Sequence, residues 1–255
     1  MLSIVITEKS ICERSTYDGL TQAILANDMP EIATSAVLDH YTNFSGYRGI
    51  MATQELQLAP VTFRLTHGEL ATFALEHGLS GYVDSLGTPL PLLDDAAADL
   101  FYTSFTDPNP SDYLWDLFGD RGNGLRLRFE VTPAAAQLRR IRYQTGTTLL
   151  KLINDALVQA GLPRFILKGV SRVGAFYLPM MFEGESETRL LAKRFPGGGA
   201  PVVQLPSREY WPIAIGSTNR TAQLKLLEVG VRKLDATKVS SRLPAWCSGV
   251  AVVTD

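Results

Sequence analysis

Alternating apolar and polar positions predict most of the strands in this chain. From residue 125 to residue 131 every odd position is apolar and every even position is charged. Side chains two apart on an extended chain share a face, so this segment is predicted to be a strand with one buried face. Arg126 and Arg128 are then expected on a solvated face. Further strands are predicted at 2–7, 36–42, 56–58, 100–106, 202–205, 210–215 and 249–253.

Apolar positions three and four residues apart predict helices between these strands. The helix over 147–159 is expected to face inward through positions 149, 152, 153, 156 and 157. A helix that starts at the capping-box residues 66–69 would end at Gly78, which leaves His67 and His77 at its two ends as surface or capping residues. Other helices are predicted at 16–27, at 46–54 after a Ser45 cap, in a turn after Ser111, and at 221–233.

The order of these elements favours an α+β fold, because strands and helices do not alternate regularly. Two packed, largely antiparallel sheets with peripheral helices are expected. The 255 residues are 45% hydrophobic, which is enough for one large domain or two small ones. Because no break in composition divides the chain, a single domain is predicted over 36–255. Residues 1–35 carry no motif and are predicted to be an extension packed on that domain.

Composition argues against several classes of function. The formal net charge is −2, from 24 basic and 26 acidic residues, so no overall positive field would hold nucleic acid. Cys12, Cys247 and the three histidines give neither a disulfide framework nor a metal-ligand cluster, and no metal is expected. No run of about 18 apolar residues and no signal-peptide pattern is found, so no membrane association is predicted.

An acidic stretch provides the first candidate chemistry. Glu183, Glu185 and Glu187 occupy alternate positions, so an extended chain would place Glu185 and Glu187 side by side on one face. Two neighbouring carboxylates could stabilise positive charge on a sugar or draw a proton from an acceptor. The alternative interpretation is a polar turn before a strand.

Other motifs fail on their spacing. Residues 119–124 lack the G-x-G-x-x-G spacing and precede a predicted strand, where a helix would be needed. The glycines at 197–199 lack the Lys-Ser/Thr of a P-loop, and residues 169–174 miss the G-x-S-x-G pattern by one position. A Ser-His-acid triad stays open, because such triads are defined in space rather than in sequence.

Three short segments occur in an order that resembles the ADP-ribosyltransferase superfamily. They are His40 on a strand before a small helix, Thr103-Ser104 on an aromatic strand, and Glu185-Ser186-Glu187 late in the chain. Members of that superfamily carry Arg or His on the first core strand, a Ser-Thr-Ser-like or aromatic element on a middle strand, and a late Glu, often as Glu-x-Glu. Residues 38–42 and 47–51 are similar to the opening of several His-type members.

A closer resemblance connects the chain to a bacterial family of proteins of unknown function. It covers roughly residues 36–215, through the segments 40–42, 104–106, 114–115, 124–125 and 187–190. One bacterial effector family of this size, with a divergent ADP-ribosyltransferase fold, modifies threonine in ubiquitin. The resemblance therefore implies a mono-ADP-ribosyltransferase with NAD as substrate and a protein acceptor such as host ubiquitin. It also implies secretion into a host cell without a signal peptide, with the bacterial cytoplasm as the alternative.

Residue roles follow from the resemblance. Glu187 would stabilise the ribose cation, Glu185 would orient or deprotonate the acceptor, and His40 would bind the adenosine-side ribose. Thr103 or Ser104 would brace Glu187, and the loop with Phe182 would face the acceptor. The dinucleotide-binding residues would be His40, Tyr41, Thr42, Tyr102, Thr103, Ser104 and Phe105.

Two departures from the superfamily pattern keep alternatives open. His40 belongs to one branch, whereas Glu-x-Glu is associated with arginine-directed members, and Tyr102 replaces the first Ser of the middle element. A catalytically inactive binding module on the same scaffold and an NAD glycohydrolase are the alternative functions.

Overall fold

The computed structural model describes residues 4–6, 11–13, 19–62, 69–79, 97–143, 147–167, 169–195 and 201–255, together with positions 82, 84, 88 and 90. The helices are α1 Gly19–Asp28, α2 Phe44–Thr53, α3 Glu69–Glu76, α4 Asp112–Leu117, α5 Leu149–Gln159, α6 Val170–Gly174 and α7 Ala236–Ser240. The strands are β1 Ile4–Ile6, β2 Ile11–Glu13, β3 Ala36–Thr42, β4 Glu55–Pro60, β5 Leu100–Thr106, β6 Leu125–Pro133, β7 Gln137–Arg140, β8 Arg142–Tyr143, β9 Phe165–Ile166, β10 Tyr177–Leu178, β11 Glu187–Lys193, β12 Val203–Leu205, β13 Arg208–Ala214, β14 Ala222–Val231 and β15 Ala251–Thr254.

One large mixed sheet organises the chain, which confirms the α+β class. Its strand order is β12-β13-β4-β5-β3-β6-β14-β15, and β11 joins through β5 with β7 on its far side. All the pairs in this sheet are antiparallel except β14 with β15. Two smaller sheets have the orders β1-β2-β9 and β10-β8. Ten of the described strands thus form one sheet, and the described residues do not form the two large packed sheets that were expected.

The large sheet forks at β5. On one edge of β5, β11 pairs with every residue from Leu100 to Thr106. On the other edge, β4 pairs with Phe101 and Tyr102, and β3 pairs with Thr106. Residues 103–105 therefore face the space between β3 and β4, where two neighbouring strands diverge.

Two hydrophobic clusters lie on either side of this sheet. One is built from β3, β4, β5, β6, β13, β14 and α2, with Leu58, Phe129 and Ile213 fully buried. A bridge between Ile215 and Leu224 closes the sheet partly around this cluster. The other cluster contains buried residues of α1, α3, α5 and α6, such as Leu25, Phe73, Leu150 and Val173.

Most strand predictions are confirmed. The strands predicted at 36–42 and 100–106 have those bounds, and the strand predicted at 125–131 extends to Pro133. The cap by Ser111 is also confirmed, because its side chain accepts a hydrogen bond from the amide of Leu114.

Two helix predictions are wrong in detail. The helix after β3 begins at Phe44 rather than at 46, and its cap is Asn43, whose side chain accepts from the Gly46 amide. In α5 the predicted inward face is confirmed at positions 149, 153 and 157, which pack against the core, but it is wrong at Leu152, which is 55% exposed. Leu150 and Asn154, which were not predicted to face inward, are buried. Asn154 is buried because its amide group donates to the His77 carbonyl at 2.8 Å and its oxygen accepts from the Phe165 amide at 2.8 Å.

The predicted helix over 221–233 is a strand. Residues 222–231 form β14, which pairs antiparallel with β6 along its length. The buried positions Ala222, Leu224 and Leu226 alternate with exposed ones, as expected for a strand with one covered face. Pairing with a neighbouring strand thus outweighs the helix propensity of its Leu, Gln, Lys and Glu residues.

His77 was expected to be a surface or capping residue. It is buried, so the surface alternative is wrong, and its bond to a carbonyl of the last turn of α3 fits the capping alternative. It is 3% exposed, its ring packs on Phe73, and its Nδ1 lies 2.9 Å from the Phe73 carbonyl. Gly78 does end the helix, in the left-handed conformation at φ 60°. Residues 66–68 of the capping box, which include His67, and the glycines at 197–199 lie outside the described residues. In the part of the chain that the structure describes, no helix has the length and apolar character needed to cross a membrane.

Candidate functional site

A cleft of about 340 Å³ opens in the fork between β3, β4 and β5. Its walls come from distant parts of the chain: residues 39–41 of β3, residues 102–106 of β5, Glu185 in the turn before β11, and Glu187 at the start of β11. The sheet fork creates this cleft because, among the described strands, none pairs with residues 103–105 on this edge of β5. Eight of the nine candidate site residues thus line one cavity, and Thr42 is the one that does not. They are His40, Tyr41, Tyr102, Thr103, Ser104, Phe105, Glu185 and Glu187.

His40 bridges the fork. Its Nδ1 lies 2.9 Å from the backbone carbonyl of Ser104, on the open edge of β5. Because a carbonyl can only accept, Nδ1 must carry the proton, and Nε2 of the neutral ring is left as an acceptor. Burial lowers the pKa of His40 below its usual 6.5, and its hydrogen bond to Ser104 opposes this shift only in part. The imidazole is therefore neutral at pH 7.

In the described part of the structure, Ser104, Arg189 and Tyr143 hold Glu187 in one position. It is 4% exposed and accepts hydrogen bonds from the hydroxyl of Ser104 and from Arg189, through Nε at 2.6 Å and Nη2 at 2.8 Å. Its backbone amide donates to the hydroxyl of Tyr143 at 2.7 Å. This arrangement fixes the carboxylate of Glu187 at the wall of the cleft.

The extended conformation expected for the acidic stretch is wrong. Residues 180–185 form a 3₁₀ turn, Ser186 adopts the left-handed conformation at φ 45°, and β11 begins only at Glu187. Glu185 still lines the cleft, half-buried, because the turn brings it back to the mouth. Glu183 is exposed and is absent from the lining.

The residues of β5 divide between two faces. Tyr102 and Ser104 share the face toward the cleft, and the Arg189 guanidinium lies 5.5 Å from the centre of the Tyr102 ring. Thr103 and Phe105 lie along the wall, but their side chains belong to the opposite face, and Phe105 is buried in the sheet core. Tyr102 is therefore the aromatic ring of β5 that is available to a ligand.

Tyr41 forms part of the opposite wall. Its ring packs edge-on against Trp115 at 5.2 Å between centroids, and its buried hydroxyl has no hydrogen-bond partner among the described residues. Burial, assisted by the charge of Asp39, raises the pKa of Tyr41 to about 12. Thr42, by contrast, does not line the cleft; it packs closely against Gly46 at the start of α2.

The two arginines of β6 do not lie on a fully solvated face, contrary to the prediction: Arg126 is buried and Arg128 is only partly exposed. Arg126 is 1% exposed and contacts three carboxylates: Asp39 at 3.2 Å, Glu228 at 2.8 Å and Asp255 at 2.6 Å. Arg128 binds Asp39 through two hydrogen bonds of 2.8 and 3.0 Å. The alternation was correct, but acidic side chains from β3, β14 and the residue after β15 cover the face that was expected to meet water.

Sequence reasoning missed several residues of the site. The motif at 187–190 already included Arg189, but nothing in the sequence indicated that it pairs with Glu187 two positions earlier. Alternation on a strand could have indicated it, because residues 187 and 189 share a face. Gln57 and Phe118 also line the cleft, and no local pattern marks them. Phe182 was expected to face an acceptor, but it packs against the helical core cluster.

The cleft has the size and chemistry of a small-molecule site. Its volume falls at the lower end of the range of about 300–1,000 Å³ that ligand pockets occupy. It combines a neutral imidazole acceptor, a fixed carboxylate and one aromatic ring, which suits a ligand with hydroxyl groups and a flat ring. Within the described ranges, no group of three His, Cys, Asp or Glu side chains could hold a metal ion.

Comparison with known proteins identifies no relative: no family model, curated protein or solved structure matches this chain significantly.

Proposed function

We propose that this protein is a mono-ADP-ribosyltransferase, with an ADP-ribosyltransferase-like α+β fold, that transfers ADP-ribose from NAD to a protein side chain. One observation carries the proposal. His40, Ser104 and Glu187, which are far apart in sequence, meet across the fork at β5 in one cleft. They are the same three elements on which the resemblance to the superfamily depends.

The proposed reaction breaks the bond between nicotinamide nitrogen and ribose C1′. The bonding electron pair leaves with nicotinamide, so positive charge develops on the sugar. The acceptor side chain then forms a bond to C1′ through a lone pair, and its proton passes to Glu185 or to solvent. Glu187 would stabilise this charge or accept a hydrogen bond from a ribose hydroxyl, as a carboxylate already oriented by Ser104 and Arg189. A carboxylate that is fixed before the substrate binds costs no reorganisation at the transition state.

Two further groups would hold the dinucleotide. The free Nε2 of His40 is an acceptor, which matches the hydroxyl donors of the adenosine-side ribose. The ring of Tyr102 faces the cleft and would cover the nicotinamide ring. Holding both ends of NAD limits the freedom of the reacting sugar, and this supplies part of the rate.

An exposed apolar rim favours a protein acceptor over water. Phe118 lines the cleft and is 40% exposed, and Met181, in the turn before Glu185, is 79% exposed. Gly184 of the same turn packs on Tyr113 of α4, so the turn and the helix form one edge of the cleft. Exposed apolar groups that cluster near a site mark contact surfaces for other proteins. Glu185, half-buried beside this rim, would orient or deprotonate the acceptor side chain.

The test is transfer of label from NAD to protein. The purified chain is incubated with NAD labelled in the adenylate part and with a cell lysate or ubiquitin, and modified residues are identified by mass spectrometry. Wild type should label a protein, and Glu187→Gln should lose the label while it keeps a cooperative unfolding transition. Glu183→Gln is the matched control, because Glu183 is exposed in the same turn and does not line the cleft. Equal labelling by Glu187→Gln and wild type would refute the proposal.

Glu185→Gln separates transfer from hydrolysis. This variant should lose labelling of protein while it still releases nicotinamide from NAD, because Glu185 is assigned to the acceptor. If wild type releases nicotinamide at the same rate with and without lysate and labels nothing, the activity is that of an NAD glycohydrolase. A host protein such as ubiquitin as acceptor, and delivery as a secreted effector, belong to the proposal and depend on the identity of the labelled protein.

A second candidate is a binding module without catalysis. The bidentate pairing of Arg189 with Glu187 favours it, since the pairing offsets the negative charge that a ribose cation needs. Such a module would form a stable complex with its partner without NAD, and Glu185→Ala/Glu187→Ala would leave the complex intact. Loss of the complex in this double variant would count against it.

A further inference from the structure

A second cavity lies outside the cleft, between α2 and α7. Its volume is about 620 Å³, and its lining residues come from α2 and from the segment 234–244. None of them lines the cleft between β3 and β5. The volume is well above that of a packing defect and within the range of small-molecule sites.

The floor of this groove is apolar. Tyr47 and Met51 of α2 and Val239 of α7 are buried beneath it, and Phe44, which is 42% exposed, stands at one side. Contacts at Met51 connect α2 to the segment that follows α7. Trp246 donates a 3.2 Å hydrogen bond to the Met51 carbonyl, and Cys247 contacts the Met51 sulfur. The apolar floor would favour a ligand with a hydrocarbon or aromatic body.

The rim of the groove is positively charged. Arg48, Lys238 and Arg242 are exposed and line it, and Asp235 is its one acidic residue. The Asp235 carboxylate is already engaged, because it accepts from the amides of Thr237 at 3.0 Å and Lys238 at 3.2 Å and lies 3.7 Å from the Lys238 ammonium. Among the described side chains, no carboxylate lies within ion-pair distance of Arg48 or Arg242.

From these observations we infer that the groove between α2 and α7 binds a small organic anion with an apolar body. The apolar floor would take the body, and Arg48 and Arg242 would hold the anionic group. Arginine side chains present several donors in a plane, which matches a carboxylate or phosphate group. This inference does not depend on NAD chemistry, because no residue of the groove belongs to the proposed active site.

Isothermal titration calorimetry with decanoate tests the inference, at concentrations where decanoate stays monomeric. Wild type should bind one decanoate, whereas decanol and decyltrimethylammonium, which have the same chain without the negative charge, should bind at least several-fold more weakly. Arg48→Gln/Arg242→Gln should weaken decanoate binding about tenfold, or by about 1.4 kcal/mol, since each exposed charge pair contributes modestly to binding. Lys225→Gln is the matched control, because its side chain is 71% exposed on β14 and does not line the groove.

A second variant tests the apolar floor independently. Ala52 is exposed on α2 at the edge of the groove, so Ala52→Phe should fill the groove without disturbing the core and should abolish binding. Equal affinity for decanol and decanoate would overturn the inference, and so would unchanged affinity in the folded arginine double variant. Wild type that binds no decanoate but binds vesicles containing anionic lipid through Arg48 and Arg242 would also overturn it, in favour of a membrane-facing surface.

Discussion

Glu187 and Arg189 lie two residues apart on β11 and pair through two hydrogen bonds, from Nε at 2.6 Å and Nη2 at 2.8 Å. Both side chains are almost fully buried, at 4% and 1% exposed. A buried carboxylate needs such a partner, because the charge alone would be costly away from water. The pair thus explains how a carboxylate can form part of a buried cleft wall. The same ion pair contributes to folding stability and orients the carboxylate that is assigned to the proposed reaction.

Removing one member of this pair should be more harmful than removing both. Arg189→Met leaves the buried Glu187 carboxylate without its main partner, and we expect the free energy of unfolding to fall by about 3–5 kcal/mol. Glu187→Gln/Arg189→Met removes both charges and should recover a large part of that loss, without recovering labelling activity. Urea denaturation of the single and double variants gives the coupling energy. Additive losses would show that the pair is not coupled as its geometry indicates.

Ser104→Ala should reduce activity more than stability. The hydroxyl of Ser104 donates to one oxygen of Glu187, and hydrogen bonds to charged groups contribute about 1.5–3 kcal/mol. If this bond orients the carboxylate, labelling from NAD should fall about tenfold or more, while Arg189 keeps the carboxylate paired and the fold intact. Ser45→Ala is the control, because Ser45 is exposed on α2, away from the cleft lining. Equal labelling rates for Ser104→Ala and Ser45→Ala would show that the Ser104 hydroxyl does not contribute to the reaction.

Gly230 allows the buried ion cluster to form. A Cβ atom at this position would lie 2.6 Å from an oxygen of Asp255 and 2.8 Å from Nε of Arg126. Gly230→Ala should therefore lower the stability by about 1–3 kcal/mol, as expected for overpacking in a core. Gly49→Ala is the opposite case: nothing lies within 4 Å of its added Cβ, and alanine in a helix should stabilise by about 0.5–1 kcal/mol. Thermal unfolding of both variants tests the contrast.

Local sequence patterns predicted the strands that contain the site residues, but they did not predict which strands pair with each other in the sheet. The strands at 36–42 and 100–106 have their predicted bounds because apolar and β-branched residues determine them locally. The fork at β5 depends on how β3, β4 and β11 pair, and each pairing joins segments that are distant in sequence. No single segment encodes the fork, so the cleft itself could not be located.

Charged residues were harder to place than apolar ones. The alternation around Arg126 correctly separated two faces, but it could not show that Asp39, Glu228 and Asp255 cover the charged face. In β14 a bulge between Leu226 and Glu228 interrupts the alternation that would have marked a strand. The prediction for Glu185 and Glu187 was wrong for a related reason. Ser186 between them adopts the left-handed conformation, which interrupts the extended backbone that the alternation predicted.

The free energy of unfolding should decrease as the pH is lowered below neutral, because of His77. Its Nδ1 lies 2.9 Å from the Phe73 carbonyl, and its Nε2 is buried without a partner among the described residues. Burial lowers the pKa of His77 below 6.5, and this effect outweighs the hydrogen bond to Phe73 and the charges of Glu76 and Asp28, which raise it. The unfolded chain therefore binds the proton at a higher pH than the folded chain does. The contribution of neutral His77 to stability is complete above about pH 6.5. It is lost as the pH falls toward the lower pKa that His77 has in the folded chain.

His77→Asn is the variant that isolates this effect. The Asn amide can donate to the Phe73 carbonyl as Nδ1 does, but it does not titrate. Between pH 7.5 and 5.5, urea midpoints of the wild type should fall more steeply than those of His77→Asn. His40 also has a lowered pKa and contributes in the same direction, but it is present in both proteins and cancels in the difference. Parallel slopes for the two proteins would mean that His77 takes up its proton at the same pH in the folded and unfolded chains.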